Sequence, residues 1–388
     1  MPTQNIYQPD SIGEYLRAPG LLSRDTAFCN ISSEYCAMIA DAAQELLQQP
    51  ERLADLTRCA NSLFGPDEWT PGQWKDIPRD KSLAERFFLL FPFLQHLTIT
   101  REWYAARGIP ENILHDTLAD IQLWIETNKQ WTGLPAFLQA SWLREHFHGR
   151  VIRLGRLQFQ PARYESPVIA LAHRQSGAVR LVACGGHSIT QQGIFSDSEG
   201  ASGPSIDLTY SEVEGEIRRA HIVQPDGTIA LTPTDFTPGD WEQKLASGDA
   251  ILALHIPTGE RLSFTACQDS FQQAAAFYPR YFSDGPTPRA VVCHSWLFYT
   301  GLCDILPPDA NIVRFQKAFL RFPSPGARSN QTYERAFAPH GRAITREKLH
   351  GTLQHQLFDH IQAGHIPIGA GGLILPPFGN WGLPNTAP

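Results

Sequence analysis

The strongest constraint on this 388-residue chain is a change of hydrophobic period near Gly149. Before it, apolar residues recur at helical spacing. After it they come in short runs of the length and composition of strands. A chain patterned this way is expected to be α+β: an all-helical N-terminal domain over residues 1–148, then a mixed β-sheet domain with flanking helices over 149–388. In the first part, Ser32 or Ser33 caps a stripe of Tyr35, Met38, Ile39, Ala42 and Leu46 that Pro50 stops. A second stripe, Leu53, Leu56, Ala60 and Leu63, ends at Gly65. Pro110 opens a helix with Leu114, Leu118, Ile121 and Ile125 on one face. Trp124, Trp131 and Trp142 are expected to pack between helices, and the polar residues of this half show no catalytic spacing.

In the second part, 151–160, 168–174 and 178–185 read as strands, the last two joined across Gln175-Ser176-Gly177. Residues 190–209 are rich in Ser, Gly and Asp and are expected to form a mobile loop, and Pro225-Asp226-Gly227 a hairpin turn. A strand over 250–257 leads through a loop with Gly259 to a helix starting at Ser263, with Phe264, Cys267, Phe271 and Ala274 on one side and Pro279 ending it. Residues 289–298 read as the next strand, Tyr299–Ile305 as a short helix and 311–322 as a strand. Residues 323–388 read as an extension: irregular chain, one helix over 345–363, and a Gly- and Pro-rich tail.

Charge and cysteine usage narrow the function classes. Thirty-two Lys and Arg against 39 Asp and Glu leave a net charge of −7, which disfavours a nucleic-acid partner. The longest apolar stretch, 87–94, is broken by Pro92 and is far short of the ~20 residues a membrane span needs. The opening MPTQNIYQPD has neither a basic start nor an apolar run, so no secretory leader is expected. Seven cysteines, an odd number without a C-x-x-C pair, argue against a disulfide framework or a zinc ribbon. The expected setting is cytoplasmic and reduced.

Four segments carry a resemblance: R-L-G-R-L-Q-F at 153–159, L-H-I-P at 254–257, C-H-S-W-L at 293–297 and N-I-V-R-F at 311–315. Together with S-W-L-R-E-H-F-H-G at 141–149, they resemble a bacterial two-domain acyltransferase-like family. Its members have a helical N-terminal domain and a C-terminal domain similar to the GNAT N-acetyltransferase fold. The resemblance covers most of the chain and implies a GNAT-like sheet with acyl-CoA or acetyl-CoA as co-substrate. In that fold the acyl-CoA lies in a V between two splayed parallel strands. Its pyrophosphate sits where the first strand turns into a helix, because unpaired N–H groups and the helix dipole favour an anion there. The first strand is then 251–256, the turn 257–261, the helix start Ser263 and the second strand 290–297. This places Ile256, Thr258, Gly259, Arg261 and Ser263 at the cofactor. The sequence departs from the superfamily signature Q/R-x-x-G-x-G/A: the turn has one glycine and a proline, with Glu260 adding negative charge and Arg261 offsetting it.

Acyl transfer to an amine asks for a base, a donor to the thioester carbonyl and an acid for the leaving thiolate. His255, at the end of the first V-strand, suits the base; its structural alternative is a hydrogen bond across the sheet. Cys293-His294-Ser295 lies in the second V-strand, where alternation puts Cys293 and Ser295 on one face and His294 on the other. Cys293 and His294 therefore make no dyad, and His294 and Ser295 are candidates for ligand binding or catalysis. Tyr299 is placed like the tyrosine that protonates the thiolate in many GNAT enzymes, with packing as its alternative. The segment 314–348 holds eight basic residues against two acids, for CoA phosphates or a solvated face. His350, His355, His360 and His365 recur every five residues and fan around a helix, so they make no i, i+4 metal pair. His146 and His148 are a weak metal signal, and no metal is expected. The glycine run 369–372 is no dinucleotide motif, because Pro376-Pro377 forbids the helix that should follow.

The leading expectation is an N-acyltransferase acting on a small-molecule amine. The alternative is a catalytically inactive GNAT-like ligand- or protein-binding module. A third reading is a thiol-dependent hydrolase or transferase using Cys293 with a histidine from elsewhere, such as His255 on the adjacent strand. No motif fixes the acyl acceptor, the acyl chain length or the oligomeric state.

Overall fold

The computed structural model describes residues 7, 8, 10–65 and 82–382. Most of the opening decapeptide and the last residues of the tail, both read above, lie outside the described residues. The chain forms two compact units, one comprising residues up to Leu154 with Pro257–Glu260, the other Gly155–Ile256 with Arg261 onward.

The first unit is helical: α1 (Ser11–Arg17), α2 (Leu21–Phe28), α3 (Ser33–Leu47), α4 (Pro50–Phe64), α5 (Leu83–Arg86), α6 (Leu90–Ala106), α7 (Glu111–Leu118), α8 (Asp120–Thr132) and α9 (Ala140–Phe147), followed by the short β1 (Ile152–Leu154). Ser32 is the N-cap residue of α3. Pro50 does more than stop that helix: it occupies the first turn of α4, where its missing N–H costs nothing. The single helix expected from Pro110 is two, broken at Ala119, yet Leu114, Leu118, Ile121 and Ile125 are all fully buried. The break sets Asp120 at the head of α8, where its buried Oδ2 accepts from Trp124 Nε1 (3.1 Å), Trp142 Nε1 (3.0 Å) and His146 Nε2 (3.3 Å). Two of the three tryptophans thus serve a buried carboxylate as well as packing. His146 Nδ1 meets the Trp142 carbonyl at 3.2 Å, so both its ring nitrogens face acceptors within the fold.

The second unit is built on two sheets. Its strands are β2 (Leu157–Arg163), β3 (Val168–His173), β4 (Val179–Ala183), β5 (Ser188–Thr190), β6 (Ser205–Asp207), β7 (Tyr210–Val213), β8 (Glu216–Val223), β9 (Thr234–Asp235), β10 (Trp241–Leu245) and β11 (Ala250–His255). After α10 (Phe264–Tyr281) come β12 (Val291–Ser295), α11 (Leu302–Ile305), α12 (Asn311–Lys317), β13 (Leu320–Pro323), α13 (Asn330–Ala336), α14 (Gly351–Gln362) and β14 (Ala370–Ile374). The main sheet runs β2–β11–β12–β14–β13 and the second β10–β3–β4–β8–β7, with β9 on β8. A buried cluster joins Val168, Ala170 and Leu181 of the second sheet to Ile251, Val292, Phe322 and Leu373 of the main one, so the core lies where the sheets share apolar faces. The opposite parity of β3, Ile169 and Leu171, is buried in another cluster with Val182 and Phe236. Aromatic rings join α10 to the main sheet: Phe271 meets Phe159 edge-on at 5.7 Å and stacks on Trp381 at 5.0 Å.

Several sequence expectations are corrected here. Residues 190–209 are tied down: β5 pairs β6, Phe195 is 1% exposed, and Glu199 Oε2 accepts from Ser329 N and Oγ at 2.7 and 2.8 Å. Pro279 does not end α10, which continues to Tyr281. Residues 311–317 are helix rather than strand; Val313 and Gln316, three apart, and Phe315 and Phe319, four apart, turn inward together. The helix expected over 345–363 is shorter, Gly351–Gln362. The glycine run lies in the sheet: β14 pairs with both β12 and β13. A Cβ on Gly371 would lie 2.3 Å from the Phe322 ring, and one on Gly372 2.4 Å from the Phe298 ring. Only hydrogen at those positions lets the two rings lie against the strand.

Candidate functional site

The parallel pair β11 and β12 is in register only at Leu252–Val291 and Ala253–Val292. Beyond that point β11 stays paired with β2 through His255–Gln158, while β12 stays paired with β14 through Ser295–Ala370. The two strands thus part company after Ala253, each held by its outer neighbour. Leu254–Ile256 form one arm of the opening and Cys293–Ser295 the other. Openings at the carboxyl ends of parallel strands are where α/β sheets take their ligands.

The N-terminus of α10 follows the first arm, at the same end. Ser263 is its N-cap, with Oγ accepting from Ala266 N at 3.1 Å. The N–H groups of Phe264 and Thr265 have no acceptor within the helix, by its geometry. Positive charge gathers around this end. The buried Arg156 donates from Nε to the Arg261 carbonyl (3.3 Å), and its own N–H goes to Ser270 Oγ (2.8 Å). The Arg314 guanidinium lies 4.3 Å from the centre of the Phe264 ring, and Arg261 is exposed. Of the other expected cofactor residues, Thr258 and Gly259 group with the first unit. There Gly259 takes a φ of 101° that favours glycine, and Glu260 pairs with Arg153 at 3.5 Å, which offsets its charge.

On the first arm, His255 Nε2 donates to Gln160 Oε1 of the neighbouring strand at 2.9 Å. With the proton on Nε2, the basic lone pair of the neutral ring is on Nδ1. On the second arm, Cys293 is 2% exposed, and burial pushes its pKa up to about 12. It is a core thiol, which removes the chemical basis of the Cys293–His255 reading. His294 is exposed, with Nδ1 3.1 Å from Ser324 Oγ, and desolvation by the surrounding protein lowers its pKa. Ser295 Oγ accepts from Leu297 N at 3.2 Å and so caps the turn that follows the strand.

That turn delivers Tyr299. Its hydroxyl is hydrogen-bonded to Nε2 of His360 at 2.8 Å, and burial, with Asp304 adding to it, raises its pKa to about 12, so the phenol is protonated at neutral pH. Among the expected catalytic residues, His255, His294 and Ser295 all stand at the carboxyl ends of the two arms, with Tyr299 four residues beyond the last. Sequence reasoning missed Gln160, Arg156, Gln316 and His360. Arg156 stood in the R-L-G-R-L-Q-F segment, but nothing local marks it as buried. His360 stood in the five-residue histidine series, whose spacing describes one helix and is blind to a partner 61 residues away. Among the described residues, no group of three or more His, Cys, Asp or Glu is placed to hold a metal ion, and no helix is long and apolar enough to cross a membrane.

Comparison with known proteins agrees with this fold. Residues 29–149 match the model of an N-acyltransferase N-terminal domain, and residues 151–374 that of a GNAT-like C-terminal domain. The chain is similar in fold to an acyltransferase crystallised with CoA and 10C-teicoplanin (TM-score 0.63, 17% identity, 97% of this chain and 91% of that one). It is also similar to an acyltransferase mutant crystallised with octanoyl-CoA (TM-score 0.62, 17% identity, 91% and 87%). A third, crystallised with decanoyl-CoA, has a TM-score of 0.59 at 18% identity over 95% and 100% of the two chains. A comparison with curated proteins finds no match.

Proposed function

Because the chain belongs to the family that joins an N-acyltransferase N-terminal domain to a GNAT-like C-terminal domain, we propose that it transfers an acyl group from an acyl-CoA to the amine of a small molecule. The observation that carries this reading is the parting of β11 and β12 after Ala253, with the N-capped end of α10 beside it. Where the two strands separate, the facing edges of Leu254–Ile256 and Cys293–Ser295 no longer pair with each other. A pantetheine arm carries amides that bond such edges as a strand would. The first-turn N–H groups of α10, with Arg261 and Arg314, suit a pyrophosphate.

In this reading His255 Nδ1 takes the proton of the attacking amine, directly or through water, and Gln160 fixes its tautomer and ring plane. Tyr299 gives a proton to the departing thiolate, a role that suits a phenol still protonated at pH 7. His294 lies beside the acyl group on the opposite arm, its depressed pKa keeping it neutral. The acyltransferases crystallised with octanoyl-CoA, decanoyl-CoA and teicoplanin support a medium-chain donor and a small-molecule acceptor.

The test is a thermal-shift titration of the purified protein with CoA, acetyl-CoA, octanoyl-CoA and decanoyl-CoA, followed by release of the CoA thiol. A ligand at a hundredfold excess over Kd adds about 2.7 kcal/mol to the stability of the folded state. A dose-dependent rise with one thioester and thiol release on adding an amine support the reading. A rise without thiol release for any amine, or no rise with any thioester, overturns this reading and favours the inactive ligand- or protein-binding module.

A further inference from the structure

The Tyr299–His360 pair is held by more groups than packing requires. Gln316, fully buried, donates from Nε2 to the carbonyls of Leu297 (2.5 Å) and Tyr299 (2.9 Å), fixing the backbone that carries the phenol. Gly301 leaves room for the contact: a Cβ there would lie 2.6 Å from the Tyr299 ring and 2.7 Å from His360 Nε2. His365 stacks on His360 with ring centres 3.9 Å apart and planes within 4°. One hydrogen bond is thus set by a buried glutamine, a glycine and a stacked imidazole from three separate stretches of chain.

We propose that His360 is the positioning and relay residue behind Tyr299: it holds the proton that acyl transfer removes from the amine and returns it, through the same phenol, to the thiolate. This rests on the acyl-CoA reading above and is an alternative to His255 as the acceptor of that proton. The amine nitrogen attacks the thioester carbon, and its proton passes to Tyr299 Oη as the phenolic proton passes to His360 Nε2. When the C–S bond breaks, the imidazolium gives its Nε2 proton back to Tyr299 Oη, and the phenolic proton goes to sulfur. One N–C bond forms, one C–S bond breaks and one proton moves from nitrogen to sulfur, with no outside acid or base.

The surroundings suit a store that starts empty. Desolvation and the neighbouring His365 lower the pKa of His360, and in the relay the tautomer with Nδ1 protonated leaves Nε2 to accept from the phenol. The titratable groups around it are Tyr299, Cys303 and Asp304 on the β12–α11 side and His365 beyond α14. On α14 itself Asp359 is paired with Arg346. Asp304 acts in the opposite sense, steadying the imidazolium once formed.

The experiment measures octanoyl-CoA consumption by thiol release, with water or teicoplanin as acceptor, across pH 5.5–9. It compares wild type, His360→Gln, His360→Ala, Tyr299→Phe and the Tyr299→Phe/His360→Gln double variant. Glutamine keeps a hydrogen-bonding partner for the phenol but cannot store a proton. The expected result is a kcat loss on the order of 10²-fold in His360→Gln, with KM for octanoyl-CoA within twofold of wild type. The double variant should be no slower than Tyr299→Phe alone. The acidic limb of the wild-type profile should be absent in His360→Gln. A His360→Gln enzyme with wild-type kcat and profile overturns the relay and leaves the acyltransferase reading standing. Absence of thiol release from the wild type overturns both. Melting temperatures of all variants separate misfolding from lost chemistry.

Discussion

Gln316 Nε2 and the Tyr299 carbonyl are 2.9 Å apart in the interior, and the opposite end of the same amide, Oε1, accepts from Cys303 Sγ at 3.0 Å and Arg321 Nη1 at 3.2 Å. One side chain therefore ties the turn after β12 to α11 and β13. Gln316→Ala would leave buried carbonyls unpaired, each costing ~1–3 kcal/mol. We expect about 3 kcal/mol of lost stability in urea titrations and a fall in kcat that exceeds any change in acyl-CoA affinity.

Cys293 is expected to be chemically silent. Its thiol, pushed up to about 12 by burial, holds almost no thiolate at pH 8. Cys293→Ser should retain thioester turnover within about threefold, and native Cys293 should resist iodoacetamide until the protein unfolds. Mass mapping of the alkylated protein checks this. Rapid labelling with parallel loss of activity would return the thiol reading to contention.

The phosphate end of the proposed cofactor site is tested by two changes away from the reacting atoms. Ser263→Ala removes the cap of α10 and should cost ~1 kcal/mol of stability. Arg314→Ala should weaken CoA binding, and rising salt should narrow the gap from wild type, because the lost interaction is a screened charge. Calorimetric titration at 50 and 300 mM salt measures both. Equal affinities at the two salts in both proteins would rule out a role for Arg314 at the phosphates.

Gly372→Ala places a methyl group where the Phe298 ring lies. We expect at least ~2 kcal/mol of destabilisation, as for other overpacked interiors, and partial recovery in Gly372→Ala/Phe298→Leu. Chemical denaturation of both variants decides it; recovery would locate the strain at that one contact.

The helical unit should weaken in acid for an identifiable reason. His96 stacks on Phe64 at 3.9 Å, is 5% exposed, and has its pKa depressed to about 3 by desolvation, with His148 adding to it. An exposed imidazole titrates near 6.5, so the unfolded chain takes up a proton first as pH falls. The contribution of His96 is complete above about pH 6.5. It is lost between there and about pH 3, at up to ~1.4 kcal/mol per pH unit. Urea midpoints of wild type and His96→Gln between pH 7.5 and 4.5 should converge towards the acid end.

How legible all this was depended on how local each signal is. The β11–α10–β12 frame was readable because the short apolar runs over 250–256 and 290–297 and the helix start at Ser263 are signals within a few residues. The helix over 311–317 was misread because Ile312-Val313 looks like a strand start, while the spacing that decides for helix includes a buried polar residue, Gln316. β14 was unreadable as a strand: glycines carry no side-chain pattern, and what they serve, the rings of Phe298 and Phe322, stand 74 and 49 residues away. For the candidate site, His255, His294 and Tyr299 were singled out from their place along the strands. Gln160 and His360 were not, because hydrogen bonds across 95 and 61 residues leave no trace in spacing.

The position of β14 also bears on how the chain is made. β14 lies between β12 and β13, so the second arm of the opening has no outer neighbour until residues 370–374 arrive. On the ribosome, β12 must wait for more than seventy further residues to be synthesised, several seconds at ordinary elongation rates. Throughout that interval it presents one unpaired edge, the kind of surface chaperones hold and aggregates recruit. A ribosome that stalls or a message that ends within those residues would release a chain whose main sheet is split down the middle rather than trimmed at its rim. Completion of the main sheet therefore depends on residues made well after β12 itself.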